Sequence, residues 1–152
     1  MAELTWTRKI EIDGGVIDSD HKKLILIFNL FFSTKGDVPN DVFCIIIDDL
    51  TAYTKSHFFR EEQLQETARF NDIVGHKNQH NEIIMKLEFI SNLLKNDAER
   101  TTLNIRSDLL LLIRSWLFDH ILVSDTKMRP YKDKIIKASL GMNPISKYQI
   151  SL

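Results

Sequence analysis

A chain of 152 residues can bury about two thirds of its unfolded surface in one core and is too short for two ordinary domains. Its 43% hydrophobic and 27% charged residues are those of a soluble globular protein, its longest apolar run (Val42 to Ile47) falls far short of a bilayer span, and a net charge of −1 offers no broad basic surface to nucleic acid. No basic segment followed by an apolar one opens the chain, and the lone Cys44 excludes an internal disulfide and a thiolate zinc cluster, so a cytoplasmic, reducing setting is expected with Cys44 as a small core residue.

Gly and Pro are few, alternating apolar runs are scarce and helical spacing recurs, which predicts an all-α fold. An N-terminal arm, residues 1–17, precedes a helix capped by Asp18 or Ser19, with His21, Leu24, Ile25, Phe28 and Phe32 on one face and a stop at Gly36. The turn Gly36-Asp37-Val38-Pro39-Asn40 leads into a long second helix on which Phe43, Ile46, Ile47, Leu50, Thr54, His57, Glu61 and Leu64 share a face. A polar break from Arg69 to Asp72 comes next. In the third helix His76, His80, Ile83, Ile84, Leu87 and either Phe89 or Ile90 face inward, and the helix ends near Lys95-Asn96-Asp97. The fourth starts near Thr101 or Thr102 and gathers Leu109, Ile113, Trp116, Leu117 and His120, leaving Arg106 and Arg114 to solvent. Short loops make consecutive helices antiparallel, so the expected architecture is an up-down-up-down four-helix bundle over about residues 18–128. An extension, residues 129–152, adds a short helix from Pro130 to Leu140 stopped by Gly141 and Pro144. The whole chain, 1–152, reads as one domain.

Every predicted inward face carries at least one of the 5 histidines. His57 and Glu61 are four apart, as are His76 and His80, so each pair projects from one helix face about a turn apart. His120 and Asp125 are five apart, a rotation of roughly 140° on a straight helix, so for both to reach one site the helix must end or bend between them. A single such pair is more often coincidence or a hydrogen-bonded core histidine than a ligand set. Several imidazoles and two carboxylates buried together in an apolar bundle would cost several kcal/mol without something to coordinate. A metal centre satisfies them jointly. His21, His57, Glu61, His76, His80, His120 and Asp125 exceed the about four ligands of one structural zinc site and imply two metals. The segment from His76 to His80 lacks the glutamate of H-E-x-x-H zinc proteases, and the set is too poor in carboxylates for a ferritin-like di-iron bundle. With two six-coordinate irons, the imidazoles, two bridging carboxylates and a bridging oxide or hydroxide leave one position open to a diatomic ligand.

From Trp6 to Met128 the chain resembles the hemerythrins, in particular the bacterial single-domain forms. The resemblance is carried by Ile17-Asp18-Ser19-Asp20-His21-Lys22-Lys23-Leu24-Ile25, by His57-Phe58-Phe59-Arg60-Glu61-Glu62-Gln63-Leu64, by His76-Lys77-Asn78-Gln79-His80, and by the segment from Trp116 through His120 to Asp125. It implies an antiparallel four-helix bundle, the topology of which myohemerythrin is an example. It also implies two non-haem irons: one on His76, His80 and His120, one on His21 and His57, with Glu61 and Asp125 bridging. Gln79 stands where many bacterial members have Glu and Asp20 where they often have Gln, and Arg69-Phe70-Asn71-Asp72 replaces a Gly-Tyr-Pro-like turn. None of these is a ligand position.

Reversible dioxygen binding for storage, transport or sensing is the function so implied, without enzymatic turnover. Leu24, Ile25 and Leu117, each one turn from a ligand histidine, are the candidate wall of an oxygen pocket, with plain core packing as the bland alternative. Two rival readings are a di-iron enzyme reducing nitric oxide or peroxide, and an interaction module that reports oxygen or redox state to a partner protein. No membrane insertion is expected.

Overall fold

The computed structural model describes residues 3–33, 38–96, 103–143 and 145, with the side chains of the last long helix described from 106 onward. The expected stop at Gly36, the caps at Thr101 or Thr102, the end at Asp97, and Pro144 with most of the tail lie outside those residues. Four long helices run α1 (Val16–Ser33), α2 (Asn40–Ala68), α3 (Ile73–Asn96) and α4 (Leu103–Val123), followed by a 3-10 segment (Asp125–Tyr131) and α5 (Lys132–Ala138). No strand occurs among the described residues, and none of their helices is long and apolar enough to cross a membrane.

Contacts between neighbours fix the antiparallel order. Tyr53 and Arg60 of α2 reach back to Asp20 near the start of α1. Lys95 at the end of α3 meets Asp48 early in α2, while Lys77 at its start meets Glu66 late in α2. Ser124, just after α4, meets Gln79 near the start of α3. Leu24, Phe28, Phe43, Ile47, Leu50, Leu87, Ile90, Leu94, Ile113 and Leu117 meet in one apolar cluster, each fully buried aliphatic or aromatic side chain contributing about 1.5–3 kcal/mol. Ile90, not Phe89, takes the inward position: Ile90 is buried and Phe89 is 67% exposed.

Two expectations are corrected. Asp13, not Asp18 or Ser19, caps α1, which begins two residues inside the expected arm. Its carboxylate accepts from the backbone N–H groups of Gly15, Ile17 and Asp18, while the Asp18 carboxylate reaches back to those of Ile12 and Gly14. The reciprocal arrangement satisfies two of the orphan donors at the helix start, Ile17 and Asp18, and ties down the turn before it. Arg106 does not reach solvent. It is buried, with its guanidinium over the Phe43 ring and donating to the Val38 carbonyl and, at 2.8 Å, to Asn40 Oδ1, so it ties α4 to the start of α2. Its charge is satisfied by acceptors exposed where α2 begins, which a face count cannot reveal. Cys44 is half-buried against the core.

The described residues of the arm and of the extension both pack against the bundle. Asn29 exchanges hydrogen bonds with the Leu4 backbone, and Arg129 donates to the carbonyls of Arg8, Lys9 and Glu11, fastening the arm to the 3-10 segment. Ile135 of α5 joins Ile12, Ile17, Leu64, Ala68, Phe70 and Met128 in a second apolar cluster. Between α2 and α3, Arg69 adopts a left-handed φ of 58° and the Phe70 N–H returns to the Gln65 carbonyl at 2.9 Å. A turn of this kind usually takes Gly; here the buried Phe70 ring anchors it, edge-on to His76 and Tyr131. The two clusters leave a polar layer between them on every long helix.

Candidate metal centre

All seven predicted site residues lie in that layer. His21, Glu61 and Asp125 are 0% exposed, His57 and His80 1%, His76 3% and His120 6%. The four-residue spacings in α2 and α3 align His57 with Glu61 and His76 with His80, as helical geometry requires. The His120–Asp125 problem is solved by a change of helix type. α4 ends at Val123, Ser124 donates back to the His120 carbonyl at 2.8 Å, and the chain tightens into the 3-10 segment that begins at Asp125. Ser124 also donates its hydroxyl to Gln79 Oε1 at 2.6 Å, pinning the junction to α3. Gln79 thus has a holding role beside the site.

The donor atoms form two groups, one of Glu61, His76, His80, His120 and Asp125, the other of His21, His57, Glu61 and Asp125, with the atoms of each group within 4.8 Å of one another. Both groups share the two carboxylates, and each carboxylate divides its oxygens between them. Glu61 Oε1 lies 2.7 Å from His76 Nε2 and 3.4 Å from His80 Nε2, whereas Oε2 lies 3.8 Å from His21 Nε2 and 3.6 Å from His57 Nε2. Asp125 Oδ1 lies 2.9 Å from His120 Nε2 and 3.1 Å from His76 Nε2, and Oδ2 lies 3.2 Å from His21 Nε2.

The protein's own atoms do not satisfy this arrangement. His80 Nε2, His120 Nε2, Glu61 Oε2 and both Asp125 oxygens are buried without a well-aligned hydrogen bond. His21 and His57 bring their Nε2 atoms within 3.0 Å of each other, a contact in which two neutral rings share at most one proton. Orphaned buried acceptors and converging imidazole lone pairs cost free energy unless a cation joins them. The donor set fits a pair of transition-metal ions: nitrogen and carboxylate ligands, and no thiolate.

Electrostatics without metal point the same way. Burial and the nearby Asp125 charge push Glu61 upward, but the contacts from His76, His80 and His57 prevail and hold it at about 2. Burial would lower His76, yet Asp125 and Glu61 together raise it to about 10. His21 is likewise raised against its burial, by Asp125 first and then by Glu61 and Asp18. Asp125 falls well below the usual carboxylate range, because His120, His21 and His76 outweigh its burial. Protons here take the place that cations would.

Several residues that the spacing argument did not single out complete the site. The Phe58 ring stacks on His80, centroids 3.7 Å apart and planes 5° from parallel, and presents an edge to His120. Gln65 donates to Glu61 Oε1 at 3.1 Å and to the Met128 sulfur at 3.2 Å. Glu62 Oε1 is 2.8 Å from His80 Nδ1. Phe58 and Glu62 stand within the matched second segment, and Gln65 is one turn after Glu61, a signal available from sequence. Replacing Phe58 by Ala should cost about 3–5 kcal/mol, as large-to-small changes of buried aromatics do. Urea unfolding of the two proteins at equal metal content measures that loss.

The predicted oxygen-pocket residues Leu24, Ile25 and Leu117 are buried at the α1–α4 seam, where with Leu4, Phe28, Phe118, Ile121 and Arg114 they line a narrow, mostly apolar crevice. No member of the histidine–carboxylate cluster lines it.

An antiparallel four-helix bundle with two sets of imidazole nitrogens converging on shared, buried carboxylates is a metal-binding bundle. Comparison with known proteins narrows this class. The family described as Hemerythrin HHE cation binding domain matches residues 15–131. A bacteriohemerythrin of Stenotrophomonas maltophilia is 30% identical over 141 residues, covering 93% of this chain and 86% of that protein. One from Pseudomonas paraeruginosa is 29% identical over 121 residues, 80% of this chain and 76% of that protein. Myohemerythrin-1 of Phascolopsis gouldii is 26% identical over 130 residues, 86% and 92% of the two chains. The chain belongs to the hemerythrin family.

Proposed function

We propose that this protein holds two non-haem iron ions, bridged by an oxide or hydroxide, and binds dioxygen reversibly at them for storage, transport or sensing, without enzymatic turnover. The observation that carries the reading is the division of Glu61 and Asp125, each with one oxygen toward the His76–His80–His120 group and the other toward the His21–His57 group. His21, His57, His76, His80 and His120 with Glu61 and Asp125 would hold two ferrous ions, which would supply the electrons for reversible dioxygen binding. Family membership and the buried donor set support the choice of metal.

The protein's contribution is asymmetry and dryness. His76, His80 and His120 would complete one side of the centre, while His21 and His57 offer the other fewer ligands, so that side accepts an exogenous molecule. The helix-to-3-10 junction holds Asp125 against both groups, and Gln65 orients Glu61 by its amide. Phe58 closes the three-histidine side against water. Leu24, Ile25 and Leu117, one turn from His21 and His120, would provide an apolar wall that excludes stray protons and water, retaining a small apolar gas.

Anaerobic reduction followed by cycles of air exposure and oxygen removal tests the reading. Two irons per chain, with a visible absorption band that comes with oxygen and leaves with it, is the expected result. Rapid irreversible oxidation, with multiple turnovers of nitric oxide or peroxide in the presence of a reductant, would replace it by the redox-enzyme reading. A chain that takes up no iron would overturn both.

A further inference from the structure

The inward Nε2 atoms define the metal centre; the outward Nδ1 atoms show what holds the rings. Among the described residues, a carboxylate meets an outward nitrogen in each histidine group: Glu62 at His80, 2.8 Å, and Asp20 Oδ2 at His57, 3.4 Å. Asp20 is the less expected of the two. It stands where the resemblance noted above often places Gln, and it is only 2% exposed, so its charge is not dissolved in water.

Its two oxygens are used differently. Oδ1 faces the Arg60 guanidinium at 3.3 Å and the Tyr53 hydroxyl at 3.4 Å, which also lies 3.3 Å from the Asp20 carbonyl. Arg60 in turn donates to the Asn143 carbonyl at 2.7 Å, so the chain beyond α5 braces the guanidinium from outside. Oδ2 is left to His57. An ionised carboxylate can only accept, so in a neutral ring the nitrogen it faces carries the proton and the lone pair lies on Nε2, the atom directed at His21 and Glu61.

We propose that Asp20 is the positioning residue for the two-histidine side of the centre. It holds His57 with the proton on Nδ1 and Nε2 free for metal, and its negative charge, anchored by Arg60 and Tyr53, strengthens that side's hold on a cation. A glutamine at this position could accept from the same nitrogen but would bring no charge. Carboxylates behind metal-bound imidazoles fix the tautomer and raise ligand basicity, and their loss typically weakens metal binding by about 10–100-fold. The inference rests on the metal-centre reading above.

The test is calorimetric titration of the metal-free full chain with zinc, combined with long-range proton–nitrogen NMR of the imidazoles at saturation. The wild type should take two zincs. Asp20→Asn should weaken one of them by about 10–100-fold and the other by no more than about twofold, with the nitrogen signal of His57 changed and those of His76, His80 and His120 retained. Glu62→Gln should produce the mirror image. Arg60→Gln, which loosens Asp20 without altering it, should weaken the same zinc as Asp20→Asn by a smaller factor, and it carries the test should Asp20→Asn fail to fold. Asp20→Asn with both wild-type affinities, or with both zincs weakened equally, would overturn the proposal, as would wild-type affinities in Arg60→Gln. A wild-type chain that takes fewer than two zincs would bring down the metal-centre reading and this inference with it.

Discussion

Replacing Glu61 by Ala should remove metal from both halves of the centre at once, leaving less than one iron per chain. Glu61 is the member of α2 shared by both donor groups, with Oε1 toward His76 and His80 and Oε2 toward His21 and His57. Alanine is the better helix former, so the interior of α2 is expected to persist. What disappears is the acceptor for two buried donors, His76 at 2.7 Å and Gln65 at 3.1 Å, each at a cost of about 1–3 kcal/mol when left unpaired. Ligand binding free energy is also folding free energy, so a protein that can no longer hold metal forfeits about 4 kcal/mol where free metal would stand a thousandfold above its Kd. His120→Ala removes an imidazole from one group only and should cost one iron. Iron determination on the purified variants, with urea unfolding beside it, measures both effects. Two irons retained in Glu61→Ala would take Glu61 out of the ligand set.

The metal-free protein should be most stable between about pH 4.5 and 6.5, and loading it with metal at pH 7 should release protons. Glu61 is held at about 2 against an ordinary 4.5. A depressed carboxyl stabilises the fold fully above its unfolded value and loses that contribution as pH falls toward the folded one. His76 is raised from 6.5 to about 10. A raised histidine contributes fully below about 6.5 and loses its share as pH climbs through the folded value. Both contributions are complete only between the two unfolded values. Because metal needs the imidazole lone pair, His76 must surrender its proton on loading, and His21, also raised, adds to the release. Urea midpoints of the metal-free chain from pH 3 to 10, and proton release in weak buffer on metal addition, test the two halves of this prediction. A stability maximum above pH 8, or loading without proton release, would show that His76 is not the protonated partner of Glu61 and Asp125.

The helices and the residues of the polar layer are legible from spacing along the chain. Period-3.6 spacing put Phe43, Ile47, Leu50, His57 and Glu61 on one face of a long helix because a helix has one face per period, whatever it packs against. The same regularity brought His76 and His80 together. It also required a break between His120 and Asp125, and the structure supplies one where α4 gives way to a 3-10 segment. Periodicity is silent on contacts set by the meeting of distant segments, which depend on how the helices pack. Asp13 rather than Asp18 caps α1 because irregular backbone folds its carboxylate onto three N–H groups. Arg106 is buried because the start of α2 presents acceptors to it. α5 packs against the bundle because Ile135 finds Leu64, Ala68 and Phe70. Asp20 and Glu62 reach outward imidazole nitrogens from other helices or turns, and the division of each carboxylate between two histidine groups arises only when four helices converge. Local spacing fixes which side chains share a helix face; the angles and separations between helices fix which atoms meet.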